Sequence, residues 1–89
     1  MKKTELSVSF GTEQDSFEFG MQVEGHYRTT FKDPDRVRVI NHAEYNNNIY
    51  TDVFFPSSIS DQEYELIRAW AKDRNARSIR RTLEEIFPS

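Results

Sequence analysis

The side chains of this chain that are best suited to chemistry are six cations gathered in its C-terminal third. Between Leu66 and Leu83 the sequence has one acidic residue, Asp73, against six basic ones, which are Arg68, Lys72, Arg74, Arg77, Arg80 and Arg81. Residues 1–55, in contrast, hold nine acidic and six basic residues. Clustered guanidinium groups bind phosphate and carboxylate oxygens. The cluster therefore predicts a surface for an anionic partner, either a nucleic acid or an acidic protein.

The order of charges along the cluster narrows the candidate surface. In the first of two predicted helices the acidic residues come early and the basic ones late, as the helix macrodipole favours. In the second helix the order is reversed, because three arginines come early and Glu84 late. A helix whose charges oppose its macrodipole without visible compensation often marks a functional surface. An ordinary solvated, ion-paired helix face is the alternative interpretation. The predicted binding residues are Arg74, Arg77, Arg80, Arg81 and Glu84.

The sequence contains no motif for catalysis or for metal binding. It has no cysteine, and its two histidines, His26 and His42, lie sixteen residues apart, whereas a metal site needs several organised ligands. Its glycines are too scattered for a loop that cradles phosphate. We therefore expect a protein that is not an enzyme and that holds no metal or cofactor.

Period-two alternation of apolar and polar residues predicts five strands within residues 4–55. The clearest run puts four apolar side chains on one face, which are Phe17, Phe19, Met21 and Val23. The other strands are predicted at Leu6–Phe10, His26–Lys32, Val37–Tyr45 and Ile49–Phe55. Asp33–Arg36 has the residues of a β-turn, and Asn46–Asn48 those of a hairpin loop.

The apolar period changes after the last of these strands. Ser60 and Glu63 have the spacing of a capping box, which starts a helix. Its apolar face is predicted to consist of Leu66, Ile67, Trp70 and Ala71. A second apolar set would face the opposite side of a continuous helix; its members are Ile79, Leu83, Ile86 and Phe87. Because Asn75 suits a helix end, we predict two helices, residues 60–74 and 76–87.

Together these elements predict a single domain over residues 1–89 with an α+β fold. A five-stranded, mostly antiparallel β-meander is followed by two C-terminal helices packed on one face. The chain has no apolar run of the roughly 20 residues that span a bilayer, and no signal-peptide pattern. We therefore expect a cytoplasmic protein that has no membrane partner.

Small size, the lack of catalytic motifs and the charged cluster favour a binding or regulatory protein. The leading hypothesis is protein–protein interaction, as an inhibitor, an adaptor or a subunit, and accessory proteins of phages and other mobile elements are one class of this kind. The alternative is nucleic-acid binding by the basic C-terminal helices, with affinity that falls steeply with salt. Homodimerisation through an uncapped sheet edge is a related hypothesis.

Overall fold

The computed structural model describes residues 4–31, 37–44, 48–56 and 58–88. The fold is α+β, with an antiparallel five-stranded sheet and two helices. In chain order the elements are β1 (Thr4–Phe10), α1 (Glu13–Phe31), β2 (Arg38–Glu44), β3 (Asn48–Phe55), α2 (Asp61–Asp73), β4 (Ser78–Arg80) and β5 (Glu84–Ile86). The strands lie side by side in the order β2-β3-β1-β4-β5, so the first strand occupies the centre of the sheet.

The central strand, β1, follows the predicted alternation. Leu6, Val8 and Phe10 are fully buried on one face, while Ser7 and Ser9 lie on the other. β1 pairs antiparallel with β3 along its whole length and with β4 on its other side. Pairing on both sides satisfies the backbone hydrogen-bonding groups of a buried strand.

The segment with the clearest strand pattern is a helix, α1. The Thr12 hydroxyl accepts a hydrogen bond from the backbone N–H of Asp15 at 3.1 Å, which caps the first turn. Three side chains at helical spacing, Phe19, Val23 and Tyr27, are buried against the sheet. The apolar stripe of α1 therefore has the period of a helix, and tertiary packing selects it over the alternation.

The strands predicted at Phe17–Val23 and His26–Lys32 are wrong, and so is the β-meander; Lys32 lies outside the described residues. In a helix, residues two apart are separated by about 200° around the axis. The four apolar residues of the alternating run are therefore divided between two sides. Phe17 and Met21 are 57% and 59% exposed, whereas their alternate neighbours are buried.

α2 begins and ends where the sequence predicts. The Ser60 hydroxyl accepts from the backbone N–H of Glu63 at 3.1 Å, and the Glu63 carboxylate accepts from the backbone N–H of Ser60 at 3.4 Å, which confirms the capping box. At the other end Asn75 has a φ of 63°. The backbone N–H of Ala76 donates to the Ala71 carbonyl at 3.0 Å, the long bond of a Schellman motif. Asn75 thus ends the helix and turns the chain back toward the sheet.

Both helices cover the same face of the sheet. Ile67 and Ala71 of α2 are buried in the same apolar core as the side chains of α1. Where the two helices meet, the rings of His26 and Trp70 are 5.0 Å apart in an edge-on contact. Leu66, which was expected on the apolar face of α2, is exposed.

The predicted second C-terminal helix, residues 76–87, is wrong, because this segment forms the β4–β5 hairpin. After the Schellman turn, the backbone N–H of Arg77 donates to the Ser9 carbonyl at 2.7 Å, and β4 continues this pairing along the free edge of β1. The pairing satisfies backbone groups that β1 would otherwise leave open. Two of the four apolar residues that predicted the helix, Leu83 and Ile86, are 84% and 74% exposed.

The predicted hairpin in the middle of the chain is confirmed. β2 and β3 pair antiparallel, from Arg38 opposite Phe54 to Glu44 opposite Asn48. Most of the predicted hairpin loop and the whole turn at Asp33–Arg36 lie outside the described residues.

A small polar group inside the apolar core fixes α1 over the sheet. The Ser16 and Thr51 hydroxyls, both buried, are 2.6 Å apart, and Thr51 donates to the side-chain oxygen of Asn41 at 2.9 Å. Gly20 lets the helix come close, because a β-carbon there would lie 3.0 Å from Val39 and from Asn41. The helix is therefore placed on β2 and β3 by hydrogen bonds as well as by packing.

Candidate binding surface

The six cations of the C-terminal cluster do not form one surface. Arg74 Nη1 lies 2.7 Å from Glu18 Oε2 and ties the end of α2 to α1. Arg81 Nη1 lies 3.2 Å from Asp61 Oδ1, and Arg81 Nη2 donates to the Ile59 carbonyl at 3.1 Å. Arg81 therefore fastens the β4–β5 turn to the start of α2. Two of the predicted binding residues thus have structural partners.

Two further cations are engaged at the junction of α2 and β5. Arg68 Nε donates to Glu85 Oε1 at 2.7 Å, and a second bond between the same side chains makes the pair bidentate. This hydrogen bonding raises the pKa of Arg68 and lowers the pKa of Glu85. The Arg68 guanidinium and the Lys72 ammonium also lie 5.5 Å and 5.8 Å from the centre of the Phe87 ring.

Arg77 and Arg80 are both exposed, but they lie in different places. The Arg77 guanidinium lies beside Gly11, 3.4 Å from where a β-carbon on that residue would stand. Arg80 is opposite Ser7 on one side and opposite Glu84 on the other, on the sheet face that neither α1 nor α2 covers. Of the five predicted binding residues, the structure brings together Arg80 and Glu84.

The sheet face opposite the helices, called the open face below, collects alternate side chains from all five strands. Its described residues are Glu5, Ser7 and Ser9 of β1, Arg38, Ile40, His42 and Glu44 of β2, Asn48, Tyr50, Asp52 and Phe54 of β3, and Ser78, Arg80, Glu84 and Ile86 of β4 and β5. Four carboxylates and two guanidinium groups give these residues a net negative charge.

Rings and carboxylates of β2 and β3 hold one another on the open face. The His42 ring stacks on the Tyr50 ring, with centroids 4.4 Å apart and 13° between the planes. His42 Nε2 lies 3.2 Å from Asp52 Oδ2 but outside hydrogen-bond geometry. The Tyr50 hydroxyl donates to Glu44 Oε1 at 3.0 Å, and this bond is the main cause of the raised pKa of Tyr50. These four side chains are therefore largely pre-positioned.

Asp52 has acceptor capacity that its described neighbours leave unused. Its Oδ1 is shielded from solvent and accepts no hydrogen bond from the described residues, and the side chain is 14% exposed. A buried acceptor without a donor is costly. The carboxylate borders a shallow concavity of about 470 Å³, whose other lining residues are Ser7, Ser9, Asn48, Tyr50, Ser78, Arg80 and Glu84.

The open face offers both hydrogen-bond donors and hydrogen-bond acceptors. Serine hydroxyls and the Arg80 guanidinium can donate, while Asp52 and Glu84 can accept. Within the described ranges of the chain, no three acidic or histidine side chains are placed to hold a metal ion together.

Reasoning from the sequence did not identify His42, Tyr50 and Asp52 as neighbours in a site. The available signal was the alternation within β2 and β3, which puts all three on one face once these strands pair as a hairpin. The larger error was the second helix, because it removed β4 and β5 from the sheet and left the open face without Arg80 and Glu84.

Comparison of the chain with protein-family models, with curated proteins and with solved structures finds no match in any of the three. Among the described residues, neither helix combines the length and the apolar character that crossing a membrane takes. Function therefore has to be inferred from the geometry of the open face.

Proposed function

We propose that this protein is a small, non-enzymatic binding or regulatory protein that recognises another protein through the open face. The observation that carries the proposal is the uncovered side of the sheet, on which five strands present charges of both signs beside apolar groups. Ile40 and Phe54 are half-buried there, and Ile86 is 74% exposed. Protein interfaces combine apolar and aromatic side chains at the centre with a polar rim.

The charge distribution favours a protein partner over a nucleic acid. Nucleic-acid surfaces carry clustered Lys and Arg that neutralise phosphates. Three arginines of the C-terminal cluster are instead paired with carboxylates, in Arg68–Glu85, Arg74–Glu18 and Arg81–Asp61. The open face itself is net negative, so a polyphosphate would be repelled over most of it.

The chemistry of the open face defines what the partner presents. The exposed carboxylates of the open face, Glu5, Glu44 and Glu84, suit a lysine or an arginine, because charge-assisted hydrogen bonds are the strongest. Arg80 suits a carboxylate, and the stacked pair of His42 and Tyr50 suits an apolar or planar side chain. The partner surface is therefore of mixed polarity with a positive excess, and the protein acts on it as an inhibitor, an adaptor or a subunit in the cytoplasm.

The first experiment is capture of partners from the lysate of the native host, with two charge reversals compared. Arg80→Glu changes the open face, while Arg77→Glu makes the same change at an exposed position of the same segment outside that face. We expect a protein that the wild type and Arg77→Glu retain and that Arg80→Glu loses, with direct binding then confirmed by calorimetry. Loss with both variants, or with neither, would contradict recognition through the open face.

The nucleic-acid alternative is tested with the same variants. Fluorescence anisotropy of labelled duplex and single-stranded oligonucleotides is titrated at low and at physiological salt. We expect no binding at physiological salt. Salt-sensitive binding that both charge reversals weaken would overturn the proposal in favour of phosphate contacts by Arg77 and Arg80.

A further inference from the structure

The two edges of the sheet differ in how they are protected against pairing. β5 is three residues long, whereas β2 runs over seven residues and pairs with β3 without interruption. Natural proteins blunt their edge strands with short length, bulges, Pro or Lys. The described residues of β2, Arg38–Glu44, include neither Pro nor Lys. Among the described residues, no strand pairs with the outer backbone groups of β2.

The sequence of β2 is complementary to itself in the antiparallel direction. When two copies pair about a two-fold axis at Asn41, a residue before Asn41 in one copy stands opposite the residue equally far after Asn41 in the other. Arg38 of one copy then faces Glu44 of the other, twice, and opposite charges in direct cross-strand positions stabilise a sheet. The remaining cross-strand pairs in this register are Ile40 with His42 and Val39 with Ala43.

The second observation is that α1 exposes apolar side chains beside β2. Phe17 is 57% exposed on this flank, and Met21, one helical turn further along α1, is 59% exposed. Phe17 borders a groove of about 380 Å³ together with Asn41 and Ala43 of β2. The other flank of α1 is covered by α2, through the Glu18–Arg74 pair and the contact of His26 with Trp70.

The spacing of the elements lets the two α1 flanks meet. Strands lie about 4.8 Å apart, and α1 packs over β2 and β3. Pairing of two β2 strands would therefore hold the two copies of α1 about two strand spacings apart, roughly 10 Å, which is a helix-packing distance. The axis at Asn41 passes α1 at the level of Ser16 and Gly20, the two residues placed against Asn41.

We infer that two copies of this chain associate through β2 into one continuous sheet, with Phe17 and Met21 of both copies packed across the seam. The occupant of the free edge is thus a second copy, identified by the self-complementary charges and by the helix spacing. An isologous contact of this kind repeats each interaction twice. The seam shares the β2 side chains with the border of the open face but leaves the concavity at Asp52, Arg80 and Glu84 free. This inference therefore does not depend on the proposed function.

Charge reversal at the seam tests the register. Sedimentation velocity and light scattering are measured over a concentration series for Arg38→Glu, Glu44→Arg and the double variant. Each single reversal puts two like-charge pairs in the seam, and we expect the dimer dissociation constant to rise about tenfold or more. The double variant should restore it, because the two side chains are about 20 Å apart within one copy and can meet only across the seam.

Substitutions on α1 test the second half of the seam. Phe17→Ser and Met21→Ser should each weaken the dimer, while the matched control Leu83→Ser, at another exposed apolar residue, should leave it unchanged. Denaturant unfolding of each variant checks that the monomer remains folded. A wild-type chain that stays monomeric up to several hundred micromolar, a dimer indifferent to the single reversals, or a double variant that fails to recover would overturn the inference.

Discussion

The two faces of the sheet use the same strands in opposite ways. On the covered face, apolar side chains of β1 and β3 pack against α1 and α2, and the buried hydroxyls of Ser16 and Thr51 are satisfied by their own hydrogen bonds. On the open face, the alternate residues of the same strands include Asp52, with an acceptor that the described residues leave unused. The covered face therefore holds the apolar core that determines stability, whereas the open face carries polar and charged side chains.

The largest expected loss of unfolding free energy comes from a substitution on the covered face. Phe19 is fully buried, with its ring 5.3 Å from that of Phe10. We expect Phe19→Ala to cost about 3–5 kcal/mol of unfolding free energy, from lost burial and the cavity left behind. Ile86→Ala on the open face should change it by about 0.5 kcal/mol or less. Urea denaturation measures both, and similar losses would contradict the division between the faces.

The buried polar group gives the next largest effect. The Thr51 hydroxyl makes two short contacts. It lies 2.6 Å from the Ser16 hydroxyl, and it donates to the Asn41 side-chain oxygen at 2.9 Å. Thr51→Val should cost about 1–3 kcal/mol, because the buried Ser16 hydroxyl loses its 2.6 Å partner and retains a longer contact of 3.4 Å with Asn41 Oδ1. The double variant Ser16→Ala with Thr51→Val should cost less than the sum of the single variants. Additive losses in the denaturation cycle would show that the two hydroxyls are not coupled.

The start of α2 tests how firmly the second helix is held on the covered face. Ser60→Ala removes the acceptor of the capping box and should cost about 1 kcal/mol. Ser58→Ala, an exposed serine just before the helix, is the matched control and should have almost no effect. An equal response of the two serines in chemical denaturation would mean that the capping contacts contribute nothing.

The smallest effect concerns the Arg68–Glu85 pair at the margin of the covered face. Because the arginine lowers the pKa of Glu85, the stabilisation is present above the unfolded-state pKa of about 4.3 and is lost as the pH falls through the lower folded-state value. Glu85→Gln should therefore flatten the acid side of the stability curve. Glu84→Gln keeps the pair and should retain the wild-type steepness. Denaturation at a series of pH values between neutral and strongly acid distinguishes the two.

The sequence contains enough local information to predict β1, the β2–β3 hairpin and both ends of α2. In each case the signal is self-contained: a period-two run, a polar loop between two such runs, or the capping residues Ser60 and Glu63. The capping spacing of Thr12 and Asp15 is the local signal for α1, but the alternation at Phe17–Val23 predicts a strand over the same residues. Local pattern alone does not decide between a strand and a helix when apolar residues fit both periods.

The β4–β5 hairpin could not be predicted from local pattern, because its cause is distant in the sequence. Residues 78–80 become a strand by pairing with β1, and an edge of that kind is not visible in the residues themselves. The candidate site depends on this pairing. Arg80 was predicted as a binding residue on a helix, and its place on the open face follows from the register opposite Ser7.

The position of β1 in the middle of the sheet has a consequence for the order of folding during synthesis. β1 precedes both of its neighbours in the chain, and Ser7 pairs with Arg80 at the far end of the described residues. A nascent chain therefore exposes both edges of its most apolar strand until β3 has emerged, and one edge until β4 has emerged. Long-range pairing of this kind slows folding and leaves strand edges open to aggregation. The short C-terminal hairpin thus closes the central strand last, and a ribosome-bound chain that lacks it still has one open edge of β1 for a chaperone to protect.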